Sequence, residues 1–446
     1  MISHLLRQPR PLVLLLVCAA SACQSYNQRI EAPLRDFERG DFLMAAEQFA
    51  DPKITGSEFL SGVEAGTAAF VDGDFDAALA HLHTAELHAR ETEQRALLGG
   101  ESLAEMLTTF FVNEGHASYV GEGYERAMLH AMLGLSYLAL GRLDDVQVEA
   151  RRIDDLITSE EELYGSSYGA GGMAHLLSAI SYELQGEPSE AYIDYERMYD
   201  KGLAPELVGA ALIRLSGQLS QPAGADRWVS EFGEREPVPL DWPSIVVLGG
   251  LGMGPAKHEH RIDIALPKGI FSWAVPVFGD GKTPTPGLEL VFPDQNVRVG
   301  TSLVEHVAAV AKENLDDRIA WLATRSAVRG ILKRELAIQL SKNDNEVIAT
   351  IGAFLAVASL FTERADLRTW RTLPNRWVAA RAFVPPDEPT EVILAERGGE
   401  EVRLGHFRLQ PGETMFVFAR SLQSGLVAHV IGGERVQDDT GLGLNR

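Results

Sequence analysis

The sequence has only two cysteines, Cys18 and Cys23, among its 446 residues. Cys18 lies inside a short apolar segment near the N-terminus, so Cys23 alone is a candidate thiol of a mature protein. A single thiol excludes an intramolecular disulfide and a cysteine-based metal site. We therefore expect ordinary apolar cores, which a chain of this length can form without disulfides.

Basic residues are also scarce. The chain has 40 Lys and Arg against 63 Asp and Glu, a formal net charge of −23. Proteins that bind phosphate backbones do so through basic patches. Nucleic acid is therefore not an expected partner, and neither is an anionic membrane held through a polybasic surface.

Long apolar runs are missing from the N-terminal segment. Residues 12–20 are apolar, but they are too few for a membrane-spanning helix, which needs about 20 residues. Arg7 and Arg10 precede this run, and Ala22-Cys23 follows it. This arrangement resembles the signal peptide and lipobox of bacterial lipoproteins, with Ala20 where leucine is commoner. The resemblance implies removal of residues 1–22 and acylation of Cys23, and Gln24 implies sorting to the outer membrane. The alternative is a plain cleavage site that releases a soluble periplasmic protein.

Phosphate-binding loops are not indicated by the glycine-rich stretch GLGMGPAK at 250–257. A Walker loop needs Ser or Thr after its lysine, but His258 follows Lys257, and Pro255 lacks a backbone amide. A dinucleotide-binding fingerprint would open a helix, whereas a strand pattern follows this stretch. We expect a corner between two strands, with glycines supplying positive φ angles.

The nearby histidines offer a possible metal site. On a strand, His258 and His260 share one face, a spacing that can hold zinc. That face continues with Ile262 and Ile264, so we expect a core face with the imidazoles packed at its end. The sequence identifies no third ligand. A C-terminal hydrolase or metalloenzyme using His258, Glu259 and His260 stays open as an alternative.

A repeat marks the first half of the chain. Gly40 and Gly73 stand 33 positions apart in similar aromatic- and alanine-containing contexts, and further copies turn at Gly141 and Gly186. Helix–glycine turn–helix units of this period resemble tetratricopeptide (TPR) repeats, whose hairpins bury their apolar faces by stacking. We therefore predict a TPR-like α-solenoid over residues 23–235. A generic helical bundle is the alternative.

The sequence pattern changes at residue 236. Residues 236–435 are predicted to form a mixed α/β C-terminal region with antiparallel strands. Ser302 and Glu305 are interpreted as the cap of a long helical region, and residues 346–361 as a buried core helix. The tail at 436–446 is expected to be disordered. Alternation of apolar and polar residues predicts strands at 244–249, 259–266, 270–278, 287–292, 296–299, 376–384, 391–396, 402–409, 414–421 and 426–431.

The chain resembles a family of bacterial lipoproteins with N-terminal TPR-like repeats, a group with no established activity. The likeness covers nearly the whole length. It rests on Cys23, on residues 111–141, on VEARR at 148–152, on GLGMGPAK, and on ADLRTWRTLP at 365–374. Asn113-Glu114 stands where the family usually has an asparagine–aspartate pair. The resemblance implies a location and an architecture, but no chemistry.

Candidate partner-binding residues cluster around the loop at 113–126, where aromatic and charged side chains suit a recognition surface. The alternative is that Tyr119 and Tyr124 fill a gap in an irregular repeat while Glu125 and Arg126 cap a helix. The ADLRTWR run is expected to dock the C-terminal region onto its own core. The candidates are His116, Tyr119, Glu122, Tyr124, Glu125, Arg126, Arg151 and Arg152.

The sequence contains no recognisable catalytic constellation, so we expect neither an enzyme nor a cofactor or metal. The predicted function is a protein-binding scaffold or assembly factor, lipid-anchored to the bacterial outer membrane and facing the periplasm. The expected partner is another envelope protein, with peptidoglycan synthesis or envelope assembly as its class by analogy of fold alone. A purely structural envelope protein is a further alternative.

Overall fold

The computed structural model of the protein describes residues 25–98, 119–165, 170–266, 269–279, 281, 283–324 and 366–436. Several expectations lie outside these residues: the signal peptide and Cys23, His116, the helix at 346–361 and the tail from residue 437. No helix in the described part is long and apolar enough to cross a membrane.

The first half of the chain is helical. Its helices pack in successive pairs, and each pair contacts the next. In chain order they are α1 (Tyr26–Arg29), α2 (Glu31–Glu38), α3 (Phe42–Phe49), α4 (Pro52–Thr55), α5 (Glu58–Asp72), α6 (Phe75–Leu98), α7 (Gly123–Ala139), α8 (Leu143–Tyr164), α9 (Gly172–Leu184), α10 (Pro188–Asp200), α11 (Pro205–Gln218) and α12 (Pro222–Phe232).

The predicted turns within the helical pairs are confirmed. Gly40, Gly73, Gly141 and Gly186 all have positive φ, between 72° and 90°. An L side chain rarely adopts this conformation, which ends one helix and reverses the chain toward the next. The first helix of each of the five pairs is α2, α5, α7, α9 or α11, and the second is α3, α6, α8, α10 or α12.

The second half of the chain is built from strands, with one described α-helix and a single 3-10 turn at Pro293–Gln295. Every strand predicted from alternation is present, with its ends within two residues of the prediction. The elements are β1 (Ser244–Leu251), β2 (Lys257–Leu266), β3 (Gly269–Phe278), β4 (Leu288–Phe292), β5 (Val297–Gly300), β6 (Ser302–Glu305), α13 (Val307–Thr324), β7 (Arg376–Phe383), β8 (Thr390–Glu396), β9 (Glu401–Arg408), β10 (Thr414–Leu422), β11 (Gly425–Ile431) and β12 (Glu434–Val436).

The strands form two five-stranded sheets and a separate hairpin. The first sheet has the order β11-β10-β1-β7-β6, the second has the order β12-β9-β8-β4-β5, and β2 pairs with β3. Among the described strands, β1 and β10 make the one parallel pairing. The expected combination of a helical first half and a mixed C-terminal region with antiparallel strands is therefore confirmed.

The first sheet lies between the helices and the second sheet. Val246 and Leu248 of β1 belong to the core shared with the helices. Ile245 and Val247, on the opposite face, belong to the core shared with the second sheet. Because side chains alternate across a strand, a strand buried on both faces has a continuous apolar sequence. This explains the run IVVLGGL in β1.

The interpretation of Ser302 and Glu305 as a helix cap is wrong. Both residues lie in β6, which pairs with β7, and the helix begins at Val307. Glu305 is 1% exposed and accepts hydrogen bonds from the backbone amides of Gly171 (3.3 Å) and Met173 (3.0 Å) at the start of α9. Its carboxylate therefore serves the N-terminus of a different helix and ties β6 to the helical half.

Candidate functional site

Three sequence segments that are far apart along the chain meet in one buried polar network. They are the loop before α7 with the first turn of that helix, Lys257 at the start of β2, and residues 366–372, which precede β7. Each belongs to a stretch on which the family resemblance rests. Tyr26 of α1, Glu64 of α5 and Arg318 of α13 join these three segments. We name the whole set the central network: Tyr26, Glu64, Tyr119, Glu122, Tyr124, Glu125, Lys257, Arg318 and residues 366–372.

Glu122, at the start of a helix, binds two cations from the C-terminal region, Lys257 and Arg318. It forms a capping box with Glu125 at the start of α7. Its Oε1 accepts hydrogen bonds from Lys257 Nζ (2.6 Å) and Arg318 Nη2 (2.7 Å). Burial by itself would raise the pKa of Glu122, but Arg318 and Lys257 outweigh burial and hold the pKa below its usual value. The group is therefore a carboxylate stabilised by two partners.

Glu125 holds the backbone of the segment that leads to β7. Its Oε1 accepts from the backbone amide of Trp370 (2.7 Å) and from Thr369 Oγ1 (3.1 Å), and its Oε2 accepts from Tyr119 Oη. Burial and the neighbouring Glu122 raise the pKa of Glu125. A fully buried carboxyl that accepts several hydrogen bonds fixes the positions of its donors, which here are Tyr119, Thr369 and Trp370.

Glu64 of α5 binds the same segment one residue further on. It accepts hydrogen bonds from the backbone amides of Arg371 (2.6 Å) and Thr372 (2.8 Å). Trp370 lies between the two glutamates, is fully buried, and donates from its indole nitrogen to Thr67 Oγ1 at 3.1 Å. The expectation that the ADLRTWR run docks the C-terminal region onto its own core is confirmed for the described residues 366–371, because Trp370 belongs to the core shared with the helices.

The central network is a set of buried contacts within the chain rather than an exposed recognition surface. Four of the candidate partner-binding residues are buried within it: Tyr119 (8% exposed), Glu122 (4%), Tyr124 (3%) and Glu125 (0%). The Arg126 side chain is 14% exposed and lies 3.9 Å from Glu160. Their partners are residues of the same chain, because a loop between helical pairs must satisfy its polar groups when strands pack over it. The alternative of gap filling and capping describes this loop better than an exposed surface.

Arg151 and Arg152 lie on α8, on a surface that the described residues of the C-terminal region leave open. Arg151 is exposed. Arg152 Nη1 contacts Glu86 of α6 at 2.8 Å and Glu149 at 3.0 Å, so it joins the second helices of two successive pairs. His83 completes the contact, with its ring nitrogens 3.1 Å from Glu86 Oε2 and 2.8 Å from Tyr137 Oη.

Electrostatics keep this contact ordered. The hydrogen bond from His83 lowers the pKa of Glu86 to about 2, and the Arg152 charge acts in the same direction against the effect of burial. The apolar residues next to Glu86 and Glu149 in the sequence face solvent: Leu87 is 55% exposed and Val148 is 36% exposed. We name Leu87, Val148, Arg151 and Arg152 the second-helix patch.

The histidines of β2 do not point into a core as expected. His258 and His260 are exposed, whereas Lys257, on the opposite face of the strand, is 2% exposed and reaches Glu122. The buried side of this end of β2 is selected by the ion pair rather than by the alternation of apolar residues. Within the described residues, the set of three side chains close enough to share a metal ion is Asp294, in the turn between β4 and β5, with Glu391 of β8 and His406 of β9.

The glycine-rich stretch before β2 is a corner between strands, as predicted. Gly252 has a φ of 68°. A Cβ on Gly254 would lie 2.5 Å from the carbonyl oxygen of Trp370, so glycine lets the corner pass directly over the docked segment. Strand β2 follows the corner, which excludes the helix that a phosphate-binding loop requires.

Sequence reasoning missed Lys257, Glu64 and Arg318 as members of the network. The available signal was weak: Glu64 is a carboxylate inside the otherwise apolar or small stretch FLSGVEAGTAAFV of α5. A charged residue in such a stretch needs a buried partner, but a single sequence does not name that partner. No protein-family model matches the chain, and no curated protein is significantly similar to it in sequence.

Proposed function

We propose that the protein is a scaffold or assembly factor of the bacterial cell envelope, anchored to the outer membrane by an acylated Cys23 and facing the periplasm. In this proposal the helical half is a TPR-like solenoid. The chain acts by binding another envelope protein, with peptidoglycan synthesis or envelope assembly as the class of partner, and it needs no cofactor.

Support for a solenoid comes from the helical pairs. Each of the five pairs packs against the next, and four of them turn at a glycine with positive φ. Stacked helical hairpins of this kind commonly present an extended binding surface.

The observation that carries the binding role is the second-helix patch. The C-terminal region of the same chain contacts the first helices of four pairs, α5, α7, α9 and α11. This face of the helical array is therefore already covered. The patch lies on second helices, where exposed Leu87 and Val148 are sequence neighbours of Glu86 and Glu149, the two carboxylates that fix the position of Arg152. Apolar anchors beside an ordered arginine are typical of protein–protein contacts.

A lipid anchor would add to the strength of such a contact. A tether confines the protein and its partner to the same surface, which raises the effective concentration of each for the other. Modest affinity at the patch then suffices for a stable assembly.

The test is site-specific photo-cross-linking in cells with the full-length chain. A photoreactive residue at position 87 is expected to capture a discrete envelope protein, and Val148→Glu is expected to abolish the adduct. A photoreactive residue at Leu240, which is 79% exposed outside the patch, is the matched control. The same adducts from both positions, or an adduct insensitive to Val148→Glu, would contradict the proposal.

The anchor is tested separately. Cys23→Ser is expected to move the protein from the outer-membrane fraction to the soluble periplasmic fraction. An unchanged distribution of the Cys23→Ser variant would contradict anchoring through acylation of this residue.

A further inference from the structure

A cleft of about 340 Å³ lies between α11 and the edges of the two sheets. Its walls come from α10, α11, β5, β6, β7 and the residues that follow α12 and β8. Five arginines and one carboxylate, Glu206, are among its lining residues. The arginines are Arg214, Arg235, Arg298, Arg381 and Arg397.

The floor of the cleft is a fixed pair of guanidinium groups. Arg381 of β7 and Arg214 of α11 share the carboxylate of Glu183, with N–O distances of 2.6 Å and 2.5 Å. The side chains of Arg381 and Arg214 are 11% and 17% exposed. Their guanidinium carbons lie 5.5 Å and 5.4 Å from the ring centre of Phe383. Packing on the ring and the shared carboxylate therefore hold both cations in place.

The floor has an excess of positive charge. Each guanidinium carries five N–H donors, and one carboxylate cannot accept from all the donors of two. Burial disfavours an uncompensated charge, but the two arginines lower the pKa of Glu183 and keep it ionised. One negative charge then faces two positive charges at the bottom of the cleft.

The mouth of the cleft carries the other three arginines in exposed ion pairs. Arg298 and Arg397 each lie 3.3 Å from Glu289, and Arg235 lies 2.8 Å from Glu206. Their side chains are 56%, 44% and 34% exposed. Arg298 also lies 3.4 Å from Glu401, and the shared partner Glu289 is 24% exposed. Ion pairs accessible to solvent contribute about 0–1 kcal/mol, so an incoming anion can replace the protein carboxylates at modest cost.

We propose that this cleft binds a phosphate group carried by a small molecule or by a lipid head group. Five guanidinium groups on several elements offer more donors than the two oxygens of a carboxylate can accept, whereas a phosphate presents three terminal oxygens and up to two charges. The five arginines face four carboxylates, Glu183, Glu206, Glu289 and Glu401, and this local excess of positive charge attracts an anion even on a protein whose net charge is −23. The volume lies at the lower end of the range for small-ligand pockets.

The binding experiment uses the full mature chain with Cys23→Ser, so that no lipid anchor attaches it to vesicles. Calorimetry with glycerol 3-phosphate tests the soluble source. Sedimentation with phosphatidylcholine vesicles, with and without phosphatidic acid, tests the head group. Succinate is the carboxylate comparison. Binding in either phosphate arm supports the proposal and names the source, and succinate binding as tight as that of the phosphates overturns it.

Variants connect the binding to the cleft. Arg298→Gln with Arg397→Gln leaves the buried floor intact and is expected to weaken binding by at least about tenfold, because hydrogen bonds to charged groups are lost. Arg403→Gln, at a 59% exposed arginine of β9 outside the cleft, is the control and is expected to bind normally. Equal affinities of the double variant and the control, or no saturable binding in either arm, would overturn the proposal.

Discussion

Lys257 Nζ donates a 2.6 Å hydrogen bond to Glu122 Oε1, although 135 residues separate the two positions and both side chains are less than 5% exposed. The pair joins the first residue of β2 to the residue that caps α7. It therefore fastens the strand-containing half of the chain to the helical half at a point that excludes water.

Removing the carboxylate of this pair is expected to destabilise the protein strongly. Glu122→Gln leaves two buried cations, Lys257 and Arg318, without their shared counter-ion, which costs about 3–5 kcal/mol. The free energy of unfolding from urea titration measures the loss. Glu31→Gln is the matched control, because Glu31 pairs with Arg35 at 2.7 Å but is 67% exposed. Its expected cost is below about 1 kcal/mol, and equal losses for the two variants would contradict the fastening role.

Glu64 is expected to make stability depend on pH. Burial raises the pKa of Glu64 from 4.5 to about 7, against the lowering effect of hydrogen bonds from Arg371 and Thr372. The folded protein therefore retains a proton that the unfolded chain releases. This contribution to stability is fully present below pH 4.5 and is lost as the pH rises through about 7.

Comparison with Glu64→Gln isolates this effect, because the amide does not titrate. The stability advantage of the wild type over the variant is expected to shrink by roughly 3 kcal/mol between pH 4.5 and pH 8. Asp72→Asn, at an exposed position of the same helix, is the control and is expected to show no such trend. A wild type that gains stability relative to Glu64→Gln over this range would refute the prediction.

Two helical glycines, one in a crowded position against the first sheet and one with free space around it, provide a test of helix packing. A Cβ on Gly172 would lie 2.1 Å from the carbonyl oxygen of Val304 in β6, so Gly172→Ala is expected to cost about 1–3 kcal/mol. Gly217 of α11 has open space around it, so Gly217→Ala is expected to stabilise the protein by up to about 1 kcal/mol. Thermal unfolding midpoints measure both, and the prediction fails if the two variants shift in the same direction.

The sequence predicted the local structure well, because local structure follows from short-range rules. Alternation revealed the strands, and glycines with a helical context revealed the turns between helices. The error at Ser302 and Glu305 has a physical cause: a Ser-x-x-Glu spacing fits a capping box and a short strand equally well. Pairing with β7 decides between them, and that pairing is a long-range property.

The central network and the arginine cleft depend on long-range contacts and could be predicted only in part. Tyr119, Glu122 and Glu125 were recognisable as an unusual cluster, but the sequence does not show that Trp370 and Lys257 cover them. His258 and His260 face solvent because the neighbouring lysine takes the buried side. Alternation along β2 gives the two faces of the strand without saying which one the rest of the molecule covers.

The position of β1 in the first sheet has a consequence for protein synthesis. Its neighbours lie far downstream: Ser244 contacts Arg381 of β7 across 137 residues and Thr414 of β10 across 170 residues. Until those strands have been made, both edges of this predominantly apolar strand lack partners, and such edges promote aggregation. A chain that stops before Thr414 lacks the parallel partner of its central strand, so we expect the nascent protein to be prone to aggregation until translation is almost complete.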